Sequence, residues 1–166
     1  MANAAGQRSR EMRMIMNQHI CEPTSPWLFP FARSLLRWLF ALVFVFSGYK
    51  HITAPDGFVA ITPRWVPLPD FVVWATGWCE IAGAAGLLVP KRWSPGAYRG
   101  ASIALAAYAL CVWPANFNHA LHDNPVAGVH LSWWYHGPRL VFQPMLIWAI
   151  LWAGHIIDWP FGRPHR

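Results

Sequence analysis

Residues 77–90 read GWCEIAGAAGLLVP, that is Gly77-Trp78-Cys79-Glu80-Ile81-Ala82-Gly83-Ala84-Ala85-Gly86-Leu87-Leu88-Val89-Pro90. A run this apolar and small-sided, closed by proline, has the make-up of a bilayer-crossing helix. Yet it carries a carboxylate halfway along the uncharged stretch from Phe71 to Val89. An ionised acid at the centre of such a helix costs about 2.5–3.5 kcal/mol on insertion scales, so Glu80 must be protonated, paired or turned toward water. The neighbours argue for an inward direction. Thr76 and Ala84 lie one turn away, Gly77 and Gly83 three residues away, and Ala82 with Gly86 forms a small-xxx-small pair that admits another helix closely.

Outside this stretch the composition says the same thing. The chain is 55% hydrophobic and only 12% charged, with positive mean hydropathy, a mix foreign to ordinary soluble domains. At 166 residues it has room for one compact domain of a few spans and no second catalytic domain. The fold class expected is therefore all-α, an integral membrane four-helix bundle. Its spans are expected at about 31–50, 71–89, 100–118 and 139–157, within a domain covering 27–159. Arg33 and Arg37 interrupt only the start of the first span, where long stems can snorkel to headgroups.

Basic residues set the expected orientation. Ten of the 13 lysines and arginines lie before the first span or at its start, between the second and third, or after the fourth; Lys50, Arg64 and Arg139 lie on the other side. Both termini should face the cytoplasm, giving a multi-pass plasma-membrane protein, an inner membrane in a cell that has two. Tryptophans agree, with Trp27, Trp38, Trp93 and Trp159 at the inner boundary and Trp65, Trp74, Trp133 and Trp134 near the outer one. Residues 1–26 read as a retained basic cytoplasmic tail and 160–166 as a short second tail. The net charge of +6 is spent on topology and anionic lipid, so nucleic acid is not expected as a partner. Four prolines between Ile52 and Asp70 exclude a continuous helix there and suggest a structured cap over the bundle mouth.

Topology gathers the remaining polar residues at the outer end: Lys50 and His51 closing the first span, Asn116, Asn118, His119, His122 and Asp123 closing the third, Arg139 and Gln143 opening the fourth. An outer polar vestibule is expected from Glu80, Lys50, His51, Asn118, His119, Arg139 and Gln143. At 1.5 Å per residue, Glu80 lies roughly 13 Å below Phe71, too deep for an interfacial Lys50 or Arg139, which leaves Gln143 as the better partner.

Ser47-Gly48-Tyr49-Lys50-His51, Gly77-Trp78-Cys79-Glu80 followed by Gly83 and Gly86, Asn118-His119, and Arg139-Leu140-Val141-Phe142-Gln143 occur in this order around the four spans. In this the chain resembles the DoxX family of small four-helix membrane proteins, over about Arg33 to Trp152. The family takes its name from a subunit of an archaeal quinone-linked sulfur-oxidising oxidoreductase, and most of its members have no assigned reaction. The resemblance implies an accessory subunit of a redox or quinone-linked membrane system with a membrane or soluble oxidoreductase as partner. It also implies Lys50, Glu80, His119, Arg139 and Gln143 as recurring polar positions, and a quinone as the cofactor to look for. No catalytic residue follows from it. The residues alone leave two other readings open: a small-molecule or proton-handling protein that uses Glu80, and a structural or assembly factor with no reaction of its own. The glycine-rich face of the second span would serve contacts within or between protomers, a homo-oligomer included.

Three cysteines, Cys21, Cys79 and Cys111, form no C-x-x-C pair. A dithiol oxidase is thus disfavoured, and the membrane cysteines read as small buried hydrophobes without a disulfide. For a metal, His119, His122 and Asp123 are the candidates, but His-x-x-His is not a stringent signature and Asn124-Pro125 interrupts helical geometry, so no metal is assigned. Phosphate loops, dinucleotide fingerprints, nucleophile elbows and zincin motifs do not occur.

Overall fold

The computed structural model describes residues 28–90, 92–122, 125 and 128–160. Two compact units are present, Met1–Phe31 and Ala32–Arg166. Of the first, the described residues form the opening turn of α1; all packing discussed below lies in the second. The expected tail at 1–26, Cys21, Asp123 and residues 161–166 fall outside the described residues.

The structure is all-helical. Its elements are α1 (Leu28–Thr53), α2 (Asp56–Ile61), α3 (Pro69–Leu88), α4 (Pro95–His122) and α5 (Trp133–Ala153). By length and composition α1 (from Phe29), α3 and α4 (from Gly96) are apolar enough to cross a membrane. The fourth long helix, α5, has 21 residues, but His136, Arg139, Gln143, Pro138 and Pro144 dilute its apolar content.

Local chemistry accounts for the boundaries. Lys50 and His51 occupy the last turn of α1, where positive charge complements the exposed carbonyls, and Pro55 follows. Pro69 opens α3 at a position where its missing N–H costs nothing, Asp70 lies in the first turn, and Pro90 follows the helix. At the start of α4 the Ala97 N–H donates to Ser94 Oγ at 3.2 Å. The expected span at 139–157 is displaced by one to two turns: α5 begins earlier, at Trp133, and stops at Ala153. Gly154 caps it and His155 takes a left-handed φ of 55°, which ends helical continuation. Between α1 and α3 the prolines do exclude a long helix, yet a six-residue helix, α2, fits between Pro55 and Pro63.

Phe40, Ala41 and Phe44 of α1, Ala84 and Leu87 of α3, Leu105 and Ala106 of α4, and Ile150 and Ala153 of α5 form one buried core. Close approach is written into glycines. A Cβ on Gly48 would lie 2.5 Å from the Gly77 carbonyl oxygen, and one on Gly77 would lie 2.8 Å from that of Gly48, so α1 and α3 touch backbone to backbone. Gly83 is filled by Leu105 and Gly86 by Ala101 of α4. Large apolar side chains point the other way: Leu42, Phe46, Trp78, Leu110 and Phe142 are exposed, an apolar surface that water would penalise and lipid accepts. Cys79 and Cys111, expected to be buried, are exposed free thiols, Cys111 at the edge of the cavity described below.

Arg33 also departs from expectation. Instead of snorkelling it is buried, donating to Asp158 Oδ1 at 2.7 Å and contacting His155 Nδ1 at 2.6 Å, with its guanidinium 4.6 Å from the Trp152 ring centroid. This ties α1 to the segment beyond α5. Asp158 is half exposed, so Asp158→Asn should cost no more than about 1 kcal/mol. Arg33→Ala, which also strips the imidazole and indole contacts, should cost more. Melting curves of the two purified variants check the order, and equal shifts would sink it.

Candidate functional site

The Gly48–Gly77 crossing positions the site. With no side chains between the two backbones, the residues beside these glycines, Ser47 and His51 on α1 and Glu80 on α3, are pressed against one another. Glu80 is 3% exposed. Its Oε1 accepts from Ser47 Oγ at 3.0 Å, and its Oε2 lies 2.9 Å from His51 Nδ1. The second approach is close but not aligned as a straight hydrogen bond, so its strength is mainly electrostatic. A carboxyl buried this deeply needs such neighbours, because leaving it uncompensated is costly. The Tyr108 hydroxyl of α4 reaches both Glu80 and Thr76, and the Phe58 ring of α2 packs edge-on against His51 with centroids 3.9 Å apart.

A cavity of about 310 Å³ opens beside this cluster, lined by the C-terminal halves of α1 and α4, the N-terminal halves of α3 and α5, and α2 with the loop after it. Most of the wall is apolar. The polar groups on it are Ser47, His51, Thr76, Glu80, Tyr108 and, from the other side, Asn116, Arg139 and Gln143. Gln143 does not meet Glu80: it accepts from Asn116 Nδ2 at 3.3 Å and donates to the Ala109 carbonyl at 2.5 Å, fastening α5 to α4. Arg139 Nη1 lies 3.3 Å from His119 Nδ1 and donates to the Tyr135 hydroxyl at 3.3 Å.

Of the seven expected vestibule residues the structure thus brings Glu80, His51, Arg139 and Gln143 onto one cavity and sets three aside. Lys50 is exposed on the outer surface, its ammonium 5.8 Å from the Phe46 ring centroid, because one helical residue of rotation separates it from His51. Asn118 donates to the Ile61 carbonyl at 3.0 Å and pins α2 onto α4. His119 is buried behind Arg139, its ring 4.6 Å from that of His136. The pairing of His119 with His122 dissolves as well. His122 is exposed with Nδ1 3.0 Å from the Asn118 carbonyl, and among the described residues no group of three histidine, cysteine or acidic side chains is placed to hold a metal. Tyr108 is the site residue that sequence reasoning missed. A lone tyrosine in the apolar run IALAAYALC carries no periodic signal, though a phenol at mid-span needs a partner as surely as Glu80 does.

A family model described as a domain of unknown function, DUF8561, matches residues 40–155. The chain belongs to the DUF8561 family. The matched range holds every polar residue on the cavity wall, so the cavity is a feature of the DUF8561 domain itself. No curated protein and no solved structure matches the chain.

Proposed function

We propose that this DUF8561 protein is a DoxX-like, multi-pass plasma-membrane protein of four transmembrane helices with both termini cytoplasmic. In this reading it holds a small ligand of the quinone class in its extracytoplasmic-side cavity, as an accessory subunit of a redox or quinone-linked membrane system. The disposition of α5 supports a fourth span: His136 and Gln143 are buried and Arg139 is half-buried, while Val141, Phe142 and Met145 face outward. The positive-inside distribution supports the orientation. One observation carries the ligand reading: a mostly apolar cavity of about 310 Å³ with a buried Glu80–His51–Ser47 cluster on its wall, within the size and polarity range of small-molecule sites.

The test is quenching of tryptophan fluorescence by a one-isoprenoid ubiquinone, with the protein in lipid nanodiscs. Saturable quenching is expected, and Glu80→Gln should weaken it about tenfold or more, the worth of a hydrogen bond to a charged group. Absence of saturable quenching, or equal affinity in both proteins, would overturn the reading. Gentle extraction should also bring down an oxidoreductase.

The 2.9 Å approach of His51 and Glu80 favours a second reading, proton handling. In proteoliposomes under a pH gradient, wild type should then carry protons and Glu80→Gln should not; equal flux removes this idea.

A further inference from the structure

A second apolar hollow of about 460 Å³ lies on the outside of the molecule, between Phe40 of α1 and the Phe142, Met145, Trp148 and Ala149 face of α5. Three residues line both this groove and the inner cavity: Arg139, Gln143 and Leu146. They fall at i, i+4 and i+7 on α5, a single stripe one side chain thick. The groove is therefore the continuation of the cavity toward the lipid-facing surface, where Phe142 and Met145 are exposed. From Arg139 to Ala149 it follows α5 for about 15 Å. The inner cavity, at about 310 Å³, is near the lower end of the size range for ligand sites, and its Ser47–His51–Glu80 cluster lies across it from the Arg139–Gln143–Leu146 stripe. A chamber with a polar cluster on its wall, a thin gate and an apolar channel together have the shape of an amphiphile with a compact polar head and one long hydrocarbon tail.

We infer that the ligand of the cavity is a long-tailed lipid-soluble molecule that reaches the chamber sideways from the bilayer, its tail lying in the α1–α5 groove and passing between Arg139, Gln143 and Leu146. The inference rests on the ligand reading above and adds the class of ligand and its route. Ala149 is the narrow point for testing it, because a larger side chain there fills the groove without touching the chamber.

The experiment measures binding of a one-isoprenoid ubiquinone and of decylubiquinone to wild type and to Ala149→Trp, in the same nanodiscs. The expected result is that Ala149→Trp weakens the long-tailed compound tenfold or more and leaves the short one unchanged. Equal affinities of the two proteins for decylubiquinone would overturn the groove while sparing the ligand reading, whereas failure of wild type to bind either compound would overturn both. An independent readout covers a variant that folds badly: a ubiquinone with a diazirine at the tail end, photolysed in wild type, should label Phe40, Phe142, Met145 or Trp148. Labelling of Trp65 and Val66 in the loop after α2 instead, or a phospholipid acyl chain that the quinone fails to displace from the groove, overturns the inference.

Discussion

His51→Ala is expected to lower stability by about 3–5 kcal/mol, the cost of leaving a buried ionisable group without its partner. The reason is local. Glu80 is almost completely enclosed, and removing the imidazole 2.9 Å from Oε2 leaves Ser47 and Tyr108 alone to satisfy the buried carboxyl. For a chain of this size that is a fall in melting temperature on the order of 10 °C. The double variant His51→Ala/Glu80→Gln should recover much of the loss, because a neutral amide in the same place needs hydrogen bonds but no counter-charge. A double variant no more stable than His51→Ala alone would show that His51 contributes packing against Phe58 rather than compensation of Glu80.

Gly77→Ala should be nearly as damaging although it adds a single methyl group. That methyl would sit 2.8 Å from the Gly48 carbonyl oxygen and 2.9 Å from His51 Cβ, and the backbone has no rotamer by which to yield. Overpacking of this kind costs about 1–3 kcal/mol. Because the Gly48–Gly77 contact also sets the distance between His51 and Glu80, binding of the short quinone should weaken together with stability. Gly100→Ala on α4 is the matched control, since its Cβ meets nothing within 4 Å; there the usual helical preference for alanine should stabilise by roughly 0.5–1 kcal/mol. Thermal melts of the two variants side by side decide the matter, and a tolerated Gly77→Ala would mean that α1 and α3 are not held at backbone contact.

Much of the architecture was legible because bilayer-scale hydrophobicity is a property of composition averaged over a helix. The apolar runs located the four long helices to within two turns, and the cost of a mid-span acid directs Glu80 inward. The short α2 escaped because six residues between prolines carry no periodic signal. Arg33 was misread since its partners, Asp158 and His155, lie more than 120 residues away along the chain.

What the sequence by itself determined is the helical class, the apolar exterior and the presence of an acid needing company. What only the tertiary structure decided is which side chains supply that company. Lys50 and His51 are neighbours in sequence and differ by about 100° around α1, so identical depth sends one to the outer surface and the other to Glu80. Rotation of a helix about its axis is fixed by what packs against it. Here the glycine contact between α1 and α3 turns His51 inward, and Gln143, which depth alone favoured as the partner, is drawn to Asn116 and the Ala109 carbonyl by the packing of α5 on α4.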